Sequence, residues 1–265
     1  MNLVEQCRVV KKYELLTDDT ITLDDGTVLY RIRALVDFSD VKAGELGGYI
    51  EKEANLDMSG NAWVSDNARV YGNARVCGKA CVGDKAVVNG GAYVGGNAAV
   101  RGKACVGDNA VVNGKAWVGG NAVVNGRAHV GGNAAVHGRA RVCGNARVDR
   151  DALVNEDALV TDDALVTDNA WVAGDAVLGG RALVGGDSRV FGGTWEVPPL
   201  QIQGTKWSLN MVNKTTLRIG CLEHEIPVWL EQYREIGKKN GATEEELREY
   251  LLYIELAAKL YEAGR

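Results

Sequence analysis

One phrase of six residues runs unbroken from residue 62 to residue 190. A small side chain stands at Ala62 and at every sixth position through Ala182, then at Ser188. Two residues after each comes Val, from Val64 to Val190, with Leu178 the single exception. The result is 22 consecutive units without an insertion. A helix makes poor use of this pattern. A period of six precesses around a helix of ~3.6 residues per turn, and about one Gly per unit would cost roughly 1 kcal/mol each. A strand fits. Residues two apart share a face, so Ala and Val point one way and the residue between them the other. The remaining slots are mostly Gly or Asp, then Asn, Lys, Asp or Arg, which form turns. Each unit is therefore a short strand and a corner. Strands this short do not stand alone, so the units must stack around one shared, narrow core. With 34 Gly, 3 Pro and only 2 Phe, the chain has little material for a broad core of large side chains.

The units "VGGNAA" (Val94–Ala99) and "VNGRAH" (Val124–His129) show an aliphatic residue followed four positions later by a small one. Over about residues 60–193 the chain thereby resembles the hexapeptide-repeat proteins that fold as a left-handed parallel β-helix. The resemblance implies a triangular prism with three hexapeptides per coil. It implies roughly seven coils and, at ~4.8 Å between stacked strands, a rod about 35 Å long. The expected fold class is mainly β. Residues 58–193 form the β-helix, 1–57 an N-terminal β cap, and 194–265 a C-terminal segment of strands and a helical hairpin.

Both flanks carry their own signals. "KKYELL", "TITL" and "VLYRIRALV" alternate like strands, and Asp24–Gly26 is a hairpin turn signal. After Gly193 two or three strands are expected, with a turn at Asn213–Lys214. An amphipathic helix follows, with Ile226, Trp229, Leu230, Tyr233 and Ile236 on one face and Pro227 in its first turn. Thr243 and Glu246 form a capping box for a second helix, whose apolar face includes Leu247, Tyr250, Leu251 and Ile254.

A coil of three units sorts the outward side chains into three faces. The first carries Trp63, Cys81, Ala99, Trp117, Ala135, Leu153, Trp171 and Arg189, with no charge until the last. The second includes Arg69, Val87, Cys105, Arg141 and Leu159. The third includes Arg75, Tyr93, His129, Arg147 and Leu165. An apolar strip of this kind marks a covered surface. Trp63, Trp117, Leu153 and Trp171, with Trp229, Tyr233, Tyr250 and Ile254 of the hairpin, are the expected interface residues. Because Leu153, Leu159 and Leu165 place apolar groups on all three sides of one coil, the hairpin, from this or another chain, is the expected cover for that coil. The partner is expected to be another copy of the chain, a trimer being favoured, or a host protein.

Charge is sorted along the rod. Residues 60–148 hold eleven Lys or Arg against three Asp, and residues 149–187 hold nine Asp or Glu against two Arg. Arg127, His129, His137, Arg139, Arg141 and Arg147 fall within about a coil and a half, a candidate site for a nucleotide-like ligand. A chain of net charge −5 with basic residues on every face argues against nucleic acid. Cys77 and Cys81 are the only cysteines near metal-ligand spacing, so all six, Cys7 included, are read as free thiols. No metal and no cofactor are expected. No apolar run approaches the ~18 residues of a membrane span, and the N-terminus lacks a signal-peptide pattern. A cytoplasmic protein without a membrane association is therefore expected.

The segments "DVKAGELGGYIEKEANL" and "LRIGCLEHEIPVWLEQYREIGKKNG" resemble phage and prophage hexapeptide-repeat proteins of no established activity. That likeness implies a phage or bacterial origin. Many hexapeptide β-helices are acetyl-CoA-dependent acyltransferases in which a His is the general base at a cleft between subunits. By that resemblance His137 and His129 are the candidate bases. Those enzymes interrupt their coils with a loop that helps build the active site, and no such interruption is present here. The expected function is therefore a non-catalytic, oligomerising binding or structural scaffold. Alternatives are sequestration of a host nucleotide or other anionic signal at basic inter-subunit sites, and acyl transfer.

Overall fold

A computed structural model describes residues 11–263; Cys7 and the rest of residues 1–10 lie outside the described residues. The repeats form three parallel sheets of two-residue strands wound as one solenoid. The first face stacks eight strands, from Trp63–Val64 to Arg189–Val190. The third stacks seven, from Arg75–Val76 to Leu183–Val184. The second runs from Arg69–Val70 to Val177–Leu178 and is extended at both ends. Each strand pairs with the one three units further along, as in Ala99 with Trp117, Cys105 with Val123 and Val111 with His129. Alanines and valines from Ala62 to Val184 are at most 1% exposed at the inward positions. Burial of each Val contributes about 1.5–3 kcal/mol, so three per coil supply a thin but continuous core.

The corners explain the Gly and Asp slots. Every sixth residue from Gly60 to Gly186 has a positive φ, for example Gly96 at 64° and Asp66 at 56°. Seven of these corners are not glycine, and six of the seven are acids. Each of those six carboxylates accepts a hydrogen bond from the corner N–H one coil on. The pairs are Asp66 with Asp84, Asp84 with Gly102, Asp108 with Gly126, Glu156 with Gly174, Asp162 with Gly180 and Asp168 with Gly186, at 2.7–3.1 Å. A left-handed backbone costs an L-residue ~1–2 kcal/mol, and the charge-assisted bond offsets part of that.

The stack has about eight turns rather than seven, because the N-terminal segment supplies an opening coil. Strands β1 (Tyr13–Thr22) and β2 (Val28–Ala34) form an antiparallel hairpin turning at Asp24–Gly26, and β2 pairs with β3 (Leu46–Ile50). The end of β3 lies parallel on the second face, Tyr49 beside Arg69 and Ile50 beside Val70, while Leu56 bridges to Val76 on the third. Backbone N–H groups in each coil donate to carbonyls in the next, so the first coil presents unpaired carbonyls. The cap supplies donors to all three faces. Tyr49 N reaches Ala68 O and Asp57 N reaches Val76 O. Asn55 Nδ2 reaches Ala74 O, and the buried Lys12 Nζ reaches Ala62 O at 2.9 Å. The far end presents N–H groups and carbonyls together, and there the C-terminal segment supplies both kinds of partner, Gln201 Nε2 donating to Leu183 O and Asn210 Nδ2 to Arg189 O. Gln201 Oε1 takes Gly185 N, and Val212 O takes Phe191 N.

Beyond the rod, Gln201–Gln203, Ser208–Met211, Thr216–Ile219 and Leu222–Glu225 form a four-stranded antiparallel sheet, one or two strands more than expected. Helices α1 (Ile226–Lys239) and α2 (Glu244–Glu262) follow, with Pro227 in the first turn of α1 and the Thr243–Glu246 capping box on α2. The chain's own hairpin does not cover the coil of Leu153, Leu159 and Leu165. It packs on its own sheet, where Trp229 Nε1 donates to Leu217 O at 2.7 Å and Ile226, Trp229, Tyr250 and Ile254 are buried. Leu209, Met211, Leu217 and Ile219 make that sheet an apolar face needing cover close by in the chain. The three leucines stay half-buried by stacking on their column neighbours.

Candidate functional site

Large outward rings lie down along the rod, and the residue two positions later makes room. Trp117 rests over Gly119, Tyr93 over Gly95 and His129 over Gly131; a Cβ at each glycine would meet the ring at 2.6–2.7 Å. On the first face this leaves Trp117 42% exposed, its indole 5.3 Å from the imidazole of His137. Trp171 is half-buried. Its Nε1 donates to Asn155 Oδ1 at 2.9 Å, its ring meets Phe191 edge-on, and the Arg189 guanidinium lies over it. Trp63 is only 5% exposed, packed beneath the N-terminal cap against Tyr13 and Phe38. Of the expected interface residues, Trp63, Trp229, Tyr250 and Ile254 are thus occupied within the chain. Leu153 and Tyr233 are half-buried, the latter lining a small apolar cavity of about 50 Å³ between the helices and their sheet.

The six basic residues singled out between 127 and 147 are dispersed. Arg141 is on the second face, and His129 and Arg147 are stacked on the third. Arg127, His137 and Arg139 sit at corners. The boundary between basic and acidic coils also neutralises itself. Arg139 pairs with Asp157 at 2.5 Å and Arg150 with Asp168 at 3.3 Å, each one coil apart, and Arg147 with Asp149 at 3.4 Å. Burial, helped by Arg147, holds the His129 imidazole below its ordinary pKa, with Asp149 opposing. His129 Nδ1 is buried without a hydrogen-bond partner. His224 lies edge-on to Trp229. Among the described residues no His nitrogen is hydrogen-bonded to a carboxylate, and no three His, Cys, Asp or Glu side chains converge on a point that could hold a metal ion.

A different cationic site is present. On the second face, beside the corner, Arg69, Lys85 and Lys103 line a groove of about 500 Å³ with Ile21, Asn67 and Val87. The hairpin contributes Ile21 as a wall. Arg69 and Lys85 belong to the basic half of the rod, but their convergence depends on two facts. Lys85 and Lys103 occupy the same corner slot in successive coils, a signal visible in the sequence. The wall comes from a segment far upstream, which the sequence does not announce.

The fold defines the chain as a parallel β-solenoid repeat protein. A family model described as YdcK Beta solenoid repeat matches residues 62–78 and 68–84, within the first coils. No curated protein matches the chain. Among the described residues no helix is long and apolar enough to cross a membrane.

Proposed function

We propose that the chain is a non-catalytic solenoid acting as an oligomerising binding or structural scaffold, with a second copy of itself as the partner on its first face. The exposed indole of Trp117 carries this reading. It sits mid-rod in an uncharged column, Cys81, Ala99, Trp117, Ala135, Leu153 and Trp171, on a flat parallel sheet. Apolar strips on a rigid face are surfaces that proteins cover. A trimer is the favoured assembly. A phage or prophage source belongs to the same reading and is supported by the likeness of residues 40–56 and 217–241 to such proteins. Acyl transfer would need a histidine base. His129 and His137 lie on different parts of the surface, and neither is oriented by a carboxylate, which argues for the scaffold over the enzyme.

Light scattering on the full chain tests the reading. The expected mass is a multiple of the single chain, falling to one chain in a Trp117→Glu variant whose melting is unchanged. A wild-type protein that stays monomeric at high concentration removes the self-association. Acetyl-CoA turnover that disappears with His137→Ala would replace the scaffold with the enzyme.

A further inference from the structure

The column of corner residues Asn67, Lys85, Lys103, Asn121, Arg139, Asp157 and Asp175 contains two different arrangements of charge. Toward the acidic end, unlike charges stack and pair, as Arg139 does with Asp157. Toward the cap, Lys85 stands directly beneath Lys103 with coils ~4.8 Å apart, and Arg69 projects from the adjoining face into the same groove. Like charges this close repel, yet none of the three joins an ion pair among the described residues, in contrast to Arg139, Arg147 and Arg150.

The acids nearby keep their charge, and Asp66 and Asp84 line the adjoining cleft with Lys85 and Lys103, but each is held by other donors and, among the described residues, none is ion-paired to the three cations. Asp66 accepts from Asp84 N at 3.0 Å and from Ser65 Oγ at 2.8 Å, and Asp84 accepts from Gly102 N at 2.8 Å. Asp19 of the hairpin is held by Arg31 at 2.7 Å and Tyr49 Oη at 3.0 Å. In the other cationic cleft, at the far end of the rod, two of the cations have acidic partners. There Lys206 is 3.6 Å from Glu246, Arg218 is 3.8 Å from Glu223, and Asp187 lines the opening.

We propose that the groove between the hairpin and the second face binds a small organic oligophosphate. Lys85 and Lys103 hold linked phosphoryl groups along the rod axis, and Arg69 closes on them from the face, its planar fork suited to phosphate oxygens. Ile21 and Val87 supply an apolar wall and floor for the organic part. The site lies within one chain and does not depend on the self-association proposed above.

Calorimetric titration of the full chain with inorganic pyrophosphate and with ADP, at low salt, tests this. Both are expected to bind, with ADP tighter because it also uses the apolar wall. Lys85→Gln combined with Lys103→Gln should weaken both by at least about tenfold, whereas Arg127→Gln combined with Arg141→Gln should change neither. The four substitutions are on solvent-facing side chains, so folding is checked by an unchanged melt. Absence of binding to the wild type, or equal binding by the lysine variant, overturns the proposal. Binding of a short single-stranded DNA tighter than either probe, lost in the lysine variant, assigns the groove to nucleic acid and also overturns it.

Discussion

Replacing Gly114 tests whether the corners are set by local backbone strain or by the coil stacked on them. Gly114 has φ 68°, and a Cβ there would lie 2.6 Å from Gly132 O and 2.9 Å from Gly132 N, both backbone atoms of the next coil. Gly186 has nearly the same φ, 60°, but occupies the last coil, and nothing lies within 4 Å of its added Cβ. Gly186→Ala should therefore cost only the left-handed penalty, ~1–2 kcal/mol. Gly114→Ala adds the cost of forcing two coils apart, ~1–3 kcal/mol by analogy with overpacked cores, for about 2–5 kcal/mol in total. Gly114→Asp is larger than Ala yet should cost less. Its carboxylate can accept the Gly132 N–H as Asp168 accepts Gly186 N at 3.1 Å in the same column, returning about 1 kcal/mol at an exposed site. Urea unfolding of the full chain, compared at unchanged slope, should rank the three as Gly186→Ala mildest, Gly114→Asp next and Gly114→Ala worst. Equal midpoints for the two alanine variants would refute the role given to stacking. An Asp variant no better than Ala would refute the role given to the carboxylate.

The cap should show a pH signature. Burial lowers Lys12 from its ordinary 10.5 to about 8, with Asp57 opposing. Between about 8 and 10.5 the unfolded chain therefore binds more protons than the folded one at this site, and stability rises with pH through that window. A Lys12→Met variant lacks this contribution, so urea midpoints at the two ends of the window should move in favour of wild type as pH increases; parallel changes would contradict the argument. Arg139→Gln, which breaks an exposed pair with Asp157, should lower the urea midpoint only slightly, and less in high salt. A larger loss that persists in salt would mean that the charge ladder is a structural element of the corner.

The rod was legible because its rule is local and repeated. Ala and Val two apart fix the inside, and the three-unit coil puts Trp117 on Ala99 and His129 on Val111 as the stacking requires. The surface was less legible because chemistry there runs across coils. Arg139 looks like part of a basic run along the chain, but its neighbour in space is Asp157. Trp63 looks like the other tryptophans of its column and is buried only because a non-repeating segment folds over it. The glycine two residues after Trp117 is the bed on which the ring lies, a contact the repeat pattern does not spell out. The cap itself has no Ala-x-Val phrase. Tyr49 and Ile50 enter the stack opposite Arg69 and Val70, a longer step than the three-unit coil, so periodicity alone does not reveal the cap as a coil. The oligophosphate groove combines a readable lysine column with that unreadable cap.

The two ends of the rod are closed by different sets of partners, side-chain and backbone donors from the cap at one end and a mixture of acceptors and donors at the other. Uncovered, each terminus would be an open parallel-sheet edge offering amide hydrogens and carbonyl oxygens in the same three-sided outline. Without Lys12, Asn55 and the opening coil at one end, and Gln201 and Val212 at the other, the bottom of one rod would be a complement for the top of the next. That heterologous contact repeats without closing, and repetition of such a contact builds a filament. In this molecule the non-repeating segments occupy both of those edges of an otherwise extendable lattice.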